Sequence, residues 1–187
     1  MFVDKTQTMI RIAFFATCTA VGAFIALPLP FTPVPFTLQL FFTILSPLVI
    51  GPRSGALSQA VYLALGAVGV PVFAGGVGGL GVLLGPTGGF LVGFVPGAYV
   101  MGKLNTVLDG RASPWVRGLL VGIGGFGVIY GMGSLWLAKV LDISLSKALV
   151  LGCVPYIVPD SIKCFLAITA AGTLRRRVFR ISHIPLG

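Results

Sequence analysis

The chain has 187 residues, 56% of them hydrophobic and 9% charged, with a net charge of +9. Soluble domains carry about 25% charged residues, so a water-facing globule and a disordered chain are both excluded. The excess of cations fits either a nucleic-acid partner or the orientation of a membrane protein, and their positions decide between the two.

The length accommodates about six spans of roughly 20 residues with short loops. The predicted fold is an all-α membrane protein, one integral domain over residues 1–187 with six transmembrane helices. The first span covers about residues 9–27. Lys5 and Arg11 at its start resemble a secretory signal, but no small-residue cleavage site follows, so the segment is read as a span. Pro28, Pro30, Pro33 and Pro35 then form a stiff, uncharged connector. The second span runs from about 36 to 50 and ends at the turn Gly51-Pro52-Arg53. The third covers about 54–69. A glycine-rich outer loop, Val70 to Gly89, separates it from the fourth span, about 90–107. The loop carries no charge, which favours a segment folded back over a pocket rather than one floating in water. The fifth span covers about 115–137 and the sixth about 147–173, with Arg175, Arg176, Arg177 and Arg180 beyond it.

With the N-terminus in the cytoplasm, six spans return the C-terminus there. Lys5, Arg11, Arg53, Lys103, Arg111, Arg117 and the four C-terminal arginines are then cytoplasmic, against Lys139 and Lys147 outside. This bias orients the chain, and it assigns the charge to topology and anionic lipid, not to nucleic acid. Trp115 and Trp136, 21 positions apart, span roughly 30 Å of helix and suit the two interfacial belts. Gly118/Gly122 and Gly127/Gly131 between them predict close helix packing. Ala16 and Ala20, with Ala13 and Thr17 beside them, form a smooth strip on the first span that another helix can approach. Cys18, Cys153 and Cys164 lie in apolar runs without metal-ligand spacing and read as inert thiols. With one histidine, His183, and no glutamate, little material exists for a metal centre or a cofactor site.

Two ionisable groups fall at bilayer depth, Asp160 and Lys163, and such groups are functional candidates by default. On a continuous helix Tyr156, Asp160 and Lys163 lie within about 60° of arc. Pro155 and Pro159 free the carbonyls of Leu151 and Pro155, which suits a polar pocket and not a lipid contact. A self-neutralising pair that only pins span six is the bland alternative. Gly76-Val77-Gly78-Gly79-Leu80-Gly81 matches a dinucleotide fingerprint in letters only, since no strand, helix or ribose-binding acid frames it.

The runs Pro33-Val34-Pro35-Phe36-Thr37-Leu38-Gln39, Gly75-Gly76-Val77-Gly78-Gly79 through Gly85-Pro86-Thr87-Gly88-Gly89-Phe90, and Pro155-Tyr156-Ile157-Val158-Pro159-Asp160-Ser161-Ile162-Lys163 resemble the BioY family, over essentially the whole chain. These are biotin-binding S components of energy-coupling factor (ECF) transporters. The resemblance implies a multi-pass protein of the bacterial cytoplasmic membrane that captures biotin from outside, as cargo and not as a cofactor. It implies one transmembrane coupling subunit and two ATPase subunits as partners, docked on the Ala16/Ala20 strip. It implies Asp160 and Lys163 as anchors for the ureido ring, with Tyr156, Gln39, Phe36 and Phe73 around the ligand. Val77 and Phe90-Leu91 stand where some members carry polar side chains, so backbone N–H groups around Gly75 and Gly76 are expected to hold the carboxylate. A different class, an ion- or proton-coupled secondary transporter of a small polar solute using Asp160, predicts uptake by this chain alone. An intramembrane enzyme fits less well, because a lone aspartate has no second carboxylate, serine–base pair or metal set.

Overall fold

The computed structural model describes residues 2–181, without the side chains of 2–4, 114 and 175–181. The side chains of the C-terminal arginines, and His183, lie outside the described residues. The elements in order are α1 (Phe2–Phe24), β1 (Ala26–Leu27), β2 (Phe36–Thr37), α2 (Gln39–Ile50), α3 (Pro52–Ala67), α4 (Leu80–Leu84), α5 (Gly88–Leu108), α6 (Pro114–Leu141), α7 (Leu145–Gly152), a single 3-10 turn (Val154–Tyr156) and α8 (Ile157–Ile181).

Four stretches are long and apolar enough to cross a bilayer: Lys5–Phe24, Gly88–Leu108, Trp115–Leu141 and Leu145–Leu174. The chain is therefore a multi-pass membrane protein. The second predicted span is shorter than expected. Its first residues, Phe36 and Thr37, pair with Leu27 and Ala26 in an antiparallel hairpin, so the proline connector is a folded element. The helix proper has 12 residues, or about 18 Å, too short to cross alone. It is tolerated because α2 is an interior helix, packed by α1, α3, α5 and α8. Protein surrounds its ends where lipid would leave polar backbone unpaired.

The junction of α1, α2 and α3 is polar. Gln59 Nε2 lies 3.2 Å from Thr19 Oγ1, 3.3 Å from Ser46 Oγ and 3.2 Å from Ser58 Oγ, while Gln59 Oε1 accepts from Thr43 at 3.1 Å. All five side chains are fully buried. None of them figures in the reading of the sequence, because hydroxyls and amides do not interrupt an apolar run as charges do.

Span six is broken, not merely kinked. Pro155 and Pro159 each lack the N–H that would carry a helix through this point, so α7 stops at Gly152 and α8 starts at Ile157. The Leu151 carbonyl that Pro155 leaves free accepts from Thr32 Oγ1 of the hairpin at 2.9 Å. The glycines of α6 divide. A Cβ at Gly118 or Gly122 would meet Ile168 or Cys164 of α8 at 2.9 and 3.2 Å, whereas one at Gly127 or Gly131 would meet nothing within 4 Å. The second glycine pair therefore does not pack as predicted, and close approach to α5 falls instead on Gly125 against Met101 and Gly133 against Phe90.

Candidate functional site

A cavity of about 250 Å³ opens at one end of the bundle, just under the roughly 300–1,000 Å³ typical of small-molecule pockets. The hairpin contributes Val34, Pro35 and Thr37, α2 Gln39 and Leu40, and the 70–87 segment Phe73, Ala74, Val77, Val82 and Thr87. Phe90, Leu91 and Phe94 of α5, Ile129 and Tyr130 of α6, Gly152 and Tyr156 at the helix break, and Asp160 and Lys163 of α8 complete the wall. The wall is mostly apolar, with its charged pair and Tyr130 on the α6–α8 side and Thr37, Gln39 and Thr87 on the others.

Asp160 and Lys163 are the chemical centre. They are 4% and 6% exposed. Their spacing puts both on one face of α8, where Lys163 Nζ donates to Asp160 Oδ1 at 2.7 Å. The same ammonium donates to the Thr37 carbonyl at 2.6 Å and sits 3.8 Å above the centre of the Phe36 ring. A desolvated ammonium over an aromatic face gains about 2 kcal/mol. Tyr130 O–H donates to Asp160 Oδ2 at 2.5 Å. Each carboxylate oxygen thus holds one donor and keeps a further lone pair, and the ammonium keeps one N–H.

The other predicted residues are placed unequally. Phe73 and Gln39 line the cavity, but Phe36 does not: its ring lies under the Lys163 ammonium. Tyr156 lines the cavity from the 3-10 turn, not from a continuous helix, and its hydroxyl donates to the Val34 carbonyl, fastening the hairpin to the helix break. Gly75 and Gly76 do not line the cavity. With φ of +80° and +71° they form the tip of a tight turn whose flanks, Ala74 and Val77, face the pocket. The Gly76 N–H is already donated to the Phe73 carbonyl at 3.0 Å, so it is not free for a carboxylate. The docking strip is also revised. Ala16 is 2% exposed and packs inside this chain, and Ala20 is half-buried, leaving Ala13 and Thr17 as the outward residues.

Tyr130 and the Thr37 carbonyl are the site groups that sequence reasoning missed. Tyr130 is a polar side chain near the middle of a predicted span, the one signal that could have found it. Removing its hydroxyl in Tyr130→Phe is expected to weaken ligand binding about tenfold, measured by titration calorimetry, and to lower the melting temperature, because a buried carboxylate oxygen loses its donor.

Trp136 is half-buried and its polar edge is engaged inside the protein. Its Nε1–H donates to the Gly85 carbonyl at 2.9 Å, tying the 70–87 segment to α6. Trp136→Phe keeps an aromatic ring, though a smaller one, and loses the tie, so ligand release is expected to accelerate a few-fold at unchanged association rate, as read by stopped-flow kinetics.

A model described as the BioY family matches residues 2–180. A protein of Thermotoga maritima named biotin transporter BioY is 42% identical over 170 residues, covering 91% of this chain and 96% of its own. A Pyrococcus horikoshii protein named probable biotin transporter BioY is 42% identical over 171 residues, covering 91% of this chain and 98% of its own. Among solved structures, the crystal structure at 2.1 Å of the S component for biotin from an ECF-type ABC transporter matches with a TM-score of 0.86 at 27% identity, covering 94% of each chain. A match of this extent in sequence and fold, on a chain with a buried acid–lysine pair at the end of a helical bundle, makes the chain a member of the BioY family.

Proposed function

We propose that this chain captures biotin from outside the cell as the S component of an ECF-type transporter. It hands the vitamin to a module of one transmembrane coupling subunit and two ATPase subunits. The observation that carries this reading is the Asp160–Lys163–Tyr130 constellation inside an otherwise apolar cavity. A ureido ring presents two N–H donors and one carbonyl. The two carboxylate oxygens of Asp160 retain lone pairs for the donors, and the remaining N–H of Lys163 suits the carbonyl. The apolar thiophane ring and valeryl chain lie against Phe73, Phe90 and Phe94, which line the cavity. Thr87 at the N-terminus of α5 also lines the cavity, so the valerate carboxylate reaches the positive end of a 21-residue helix. Biotin is cargo in this scheme, and the chain performs no covalent chemistry.

Six crossings, with both termini inside, follow if α2 and α3 count as short crossings within the bundle and α7–α8 as one. The pocket then lies at the outer end, and Arg53, Lys103, Arg111 and Arg117, at helix ends opposite it, lie at the cytoplasmic face. The membrane is the cytoplasmic one. The outward edge of α1 at Ala13 and Thr17, beside Ala20, is the surface offered to the coupling subunit.

Calorimetric titration of the purified protein with biotin tests the substrate: tight, stoichiometric binding is expected, and absence of binding removes the proposal. Vesicle uptake with and without the ATPase module tests the class. ATP-dependent uptake is expected. Uptake by this chain alone, driven by a pH gradient, would return Asp160 to the role of proton carrier.

A further inference from the structure

Gln39 reaches the cavity wall, yet both ends of its amide are engaged inside the protein. Thr37 Oγ1 lies 3.1 Å from Gln39 Oε1, Gln39 Nε2 lies 2.5 Å from the Tyr62 hydroxyl, and that hydroxyl lies 3.1 Å from the Val72 carbonyl. The Val72 carbonyl can only accept, so Tyr62 gives its proton there. Tyr62 oxygen must then accept from the Gln39 amide nitrogen, which turns Oε1 to Thr37 and makes Thr37 the donor. Every proton points the same way, from β2 toward the 70–87 segment. At the start of the series the backbone carbonyl of Thr37 accepts from Lys163 at 2.6 Å. At its end the Tyr62 ring meets Phe73 edge-on, with centroids 5.6 Å apart at 86°, and Phe73 lines the cavity. Tyr62, Phe73 and Gln39 are all at most 4% exposed and Thr37 is 9% exposed, so bulk water has little access to these bonds.

We infer that Tyr62 and Gln39 are positioning residues that tie the 70–87 segment to the strand held by Lys163, setting how long the ligand stays and not how it is recognised. The inference rests on the biotin-capture reading for its ligand. Without the tie, the segment carrying Phe73, Ala74 and Val77 loses its side-chain link to β2 and keeps only packing and the backbone bonds from Val70 N–H to the Leu65 carbonyl and from Gly79 N–H to the Gly66 carbonyl. A ligand whose ring is still anchored on Asp160 then leaves sooner.

The test measures association and dissociation of radiolabelled biotin separately on the purified protein. Tyr62→Phe keeps the edge-on ring contact and removes only the hydroxyl. It is expected to raise the dissociation rate about tenfold and to leave the association rate within about twofold. Gln39→Leu should do the same, and the double variant should be no worse than either alone, because all three cut one series of bonds. Thr37→Val cuts it one link earlier while sparing the carbonyl that Lys163 holds, and serves if Tyr62→Phe or Gln39→Leu misfolds. A spin label at Leu80, which is 62% exposed, placed in a Cys18→Ser background, should gain mobility in the ligand-free Tyr62→Phe protein. Wild-type release rates in Tyr62→Phe, additive effects in the double variant, or an unchanged label each overturn the inference. A wild-type chain that fails to bind biotin overturns the biotin reading instead, and the label experiment still decides the tie.

Discussion

Asp160→Ala is expected to abolish biotin binding in the nanomolar-to-micromolar range and to lower the melting temperature sharply. Two separate losses are involved. The ligand loses its charged acceptor, which typically costs about 2–5 kcal/mol, or roughly thirtyfold to several thousandfold in affinity. The protein is left with Lys163, 6% exposed, without its counter-ion, and an orphaned buried charge costs about 3–5 kcal/mol. A double variant, Asp160→Asn with Lys163→Met, separates the two. Replacing a whole buried ion pair by neutral groups of similar volume is often close to neutral for stability. The melting temperature should therefore return toward wild type while binding stays lost. Recovery of both together would show that the pair is structural and that the ligand is anchored elsewhere. A single variant that binds biotin as tightly as wild type would remove the site outright.

Gly66→Ala should be nearly as damaging although it lies outside the cavity wall. A Cβ there would sit 2.0 Å from Phe73 Cζ and 2.4 and 2.5 Å from its Cε atoms. The Phe73 ring is fully buried and wedged edge-on against Tyr62, so its retreat is toward the cavity. Overpacking of this kind costs about 1–3 kcal/mol, and the ring then occupies ligand space. Thermal unfolding followed by size-exclusion chromatography should register the first effect, and calorimetry a fall in affinity of about tenfold or more. Adding Phe73→Leu should restore part of both by vacating the room the methyl needs. Wild-type stability and affinity in Gly66→Ala would mean that Phe73 is not held as the structure shows.

What the sequence reveals follows how each group departs from its surroundings. Asp160 and Lys163 stand out because ionisable side chains in apolar runs have few explanations. Helical spacing groups Tyr156 with them, and it does line the cavity, although the helix is interrupted at Cys153–Tyr156. Tyr130 is hidden because its partner lies 30 residues away on another helix and its own helix advertises only glycines. The Thr37 contact is hidden because a backbone carbonyl has no letter of its own. Gly75 and Gly76 mislead for a related reason: glycine marks permissive backbone, but not whether that backbone binds a ligand or merely turns. Ala16 misleads because smoothness suits an internal neighbour as well as a partner. The length of α2 is legible only as an anomaly, and its cause, burial among four other helices, is a property of the assembled bundle.

The amide–hydroxyl junction around Gln59 bears on how the protein enters its membrane. Among the described helices, α3 is neither one of the four long apolar stretches nor one of the shorter apolar helices. The Gln59 amide is satisfied by Thr19 of α1 and Thr43 and Ser46 of α2, whereas the Ser58 hydroxyl donates to the Gly55 carbonyl of its own helix. Alone in hydrocarbon, the Gln59 amide would lose its partners from α1 and α2 and face most of the penalty of unpaired polar atoms. The third segment is thus a poor candidate for independent release from the translocon and a good one for release in company. Stable placement of α3 in lipid depends on α1 and α2 being at hand, which couples the insertion of the three helices.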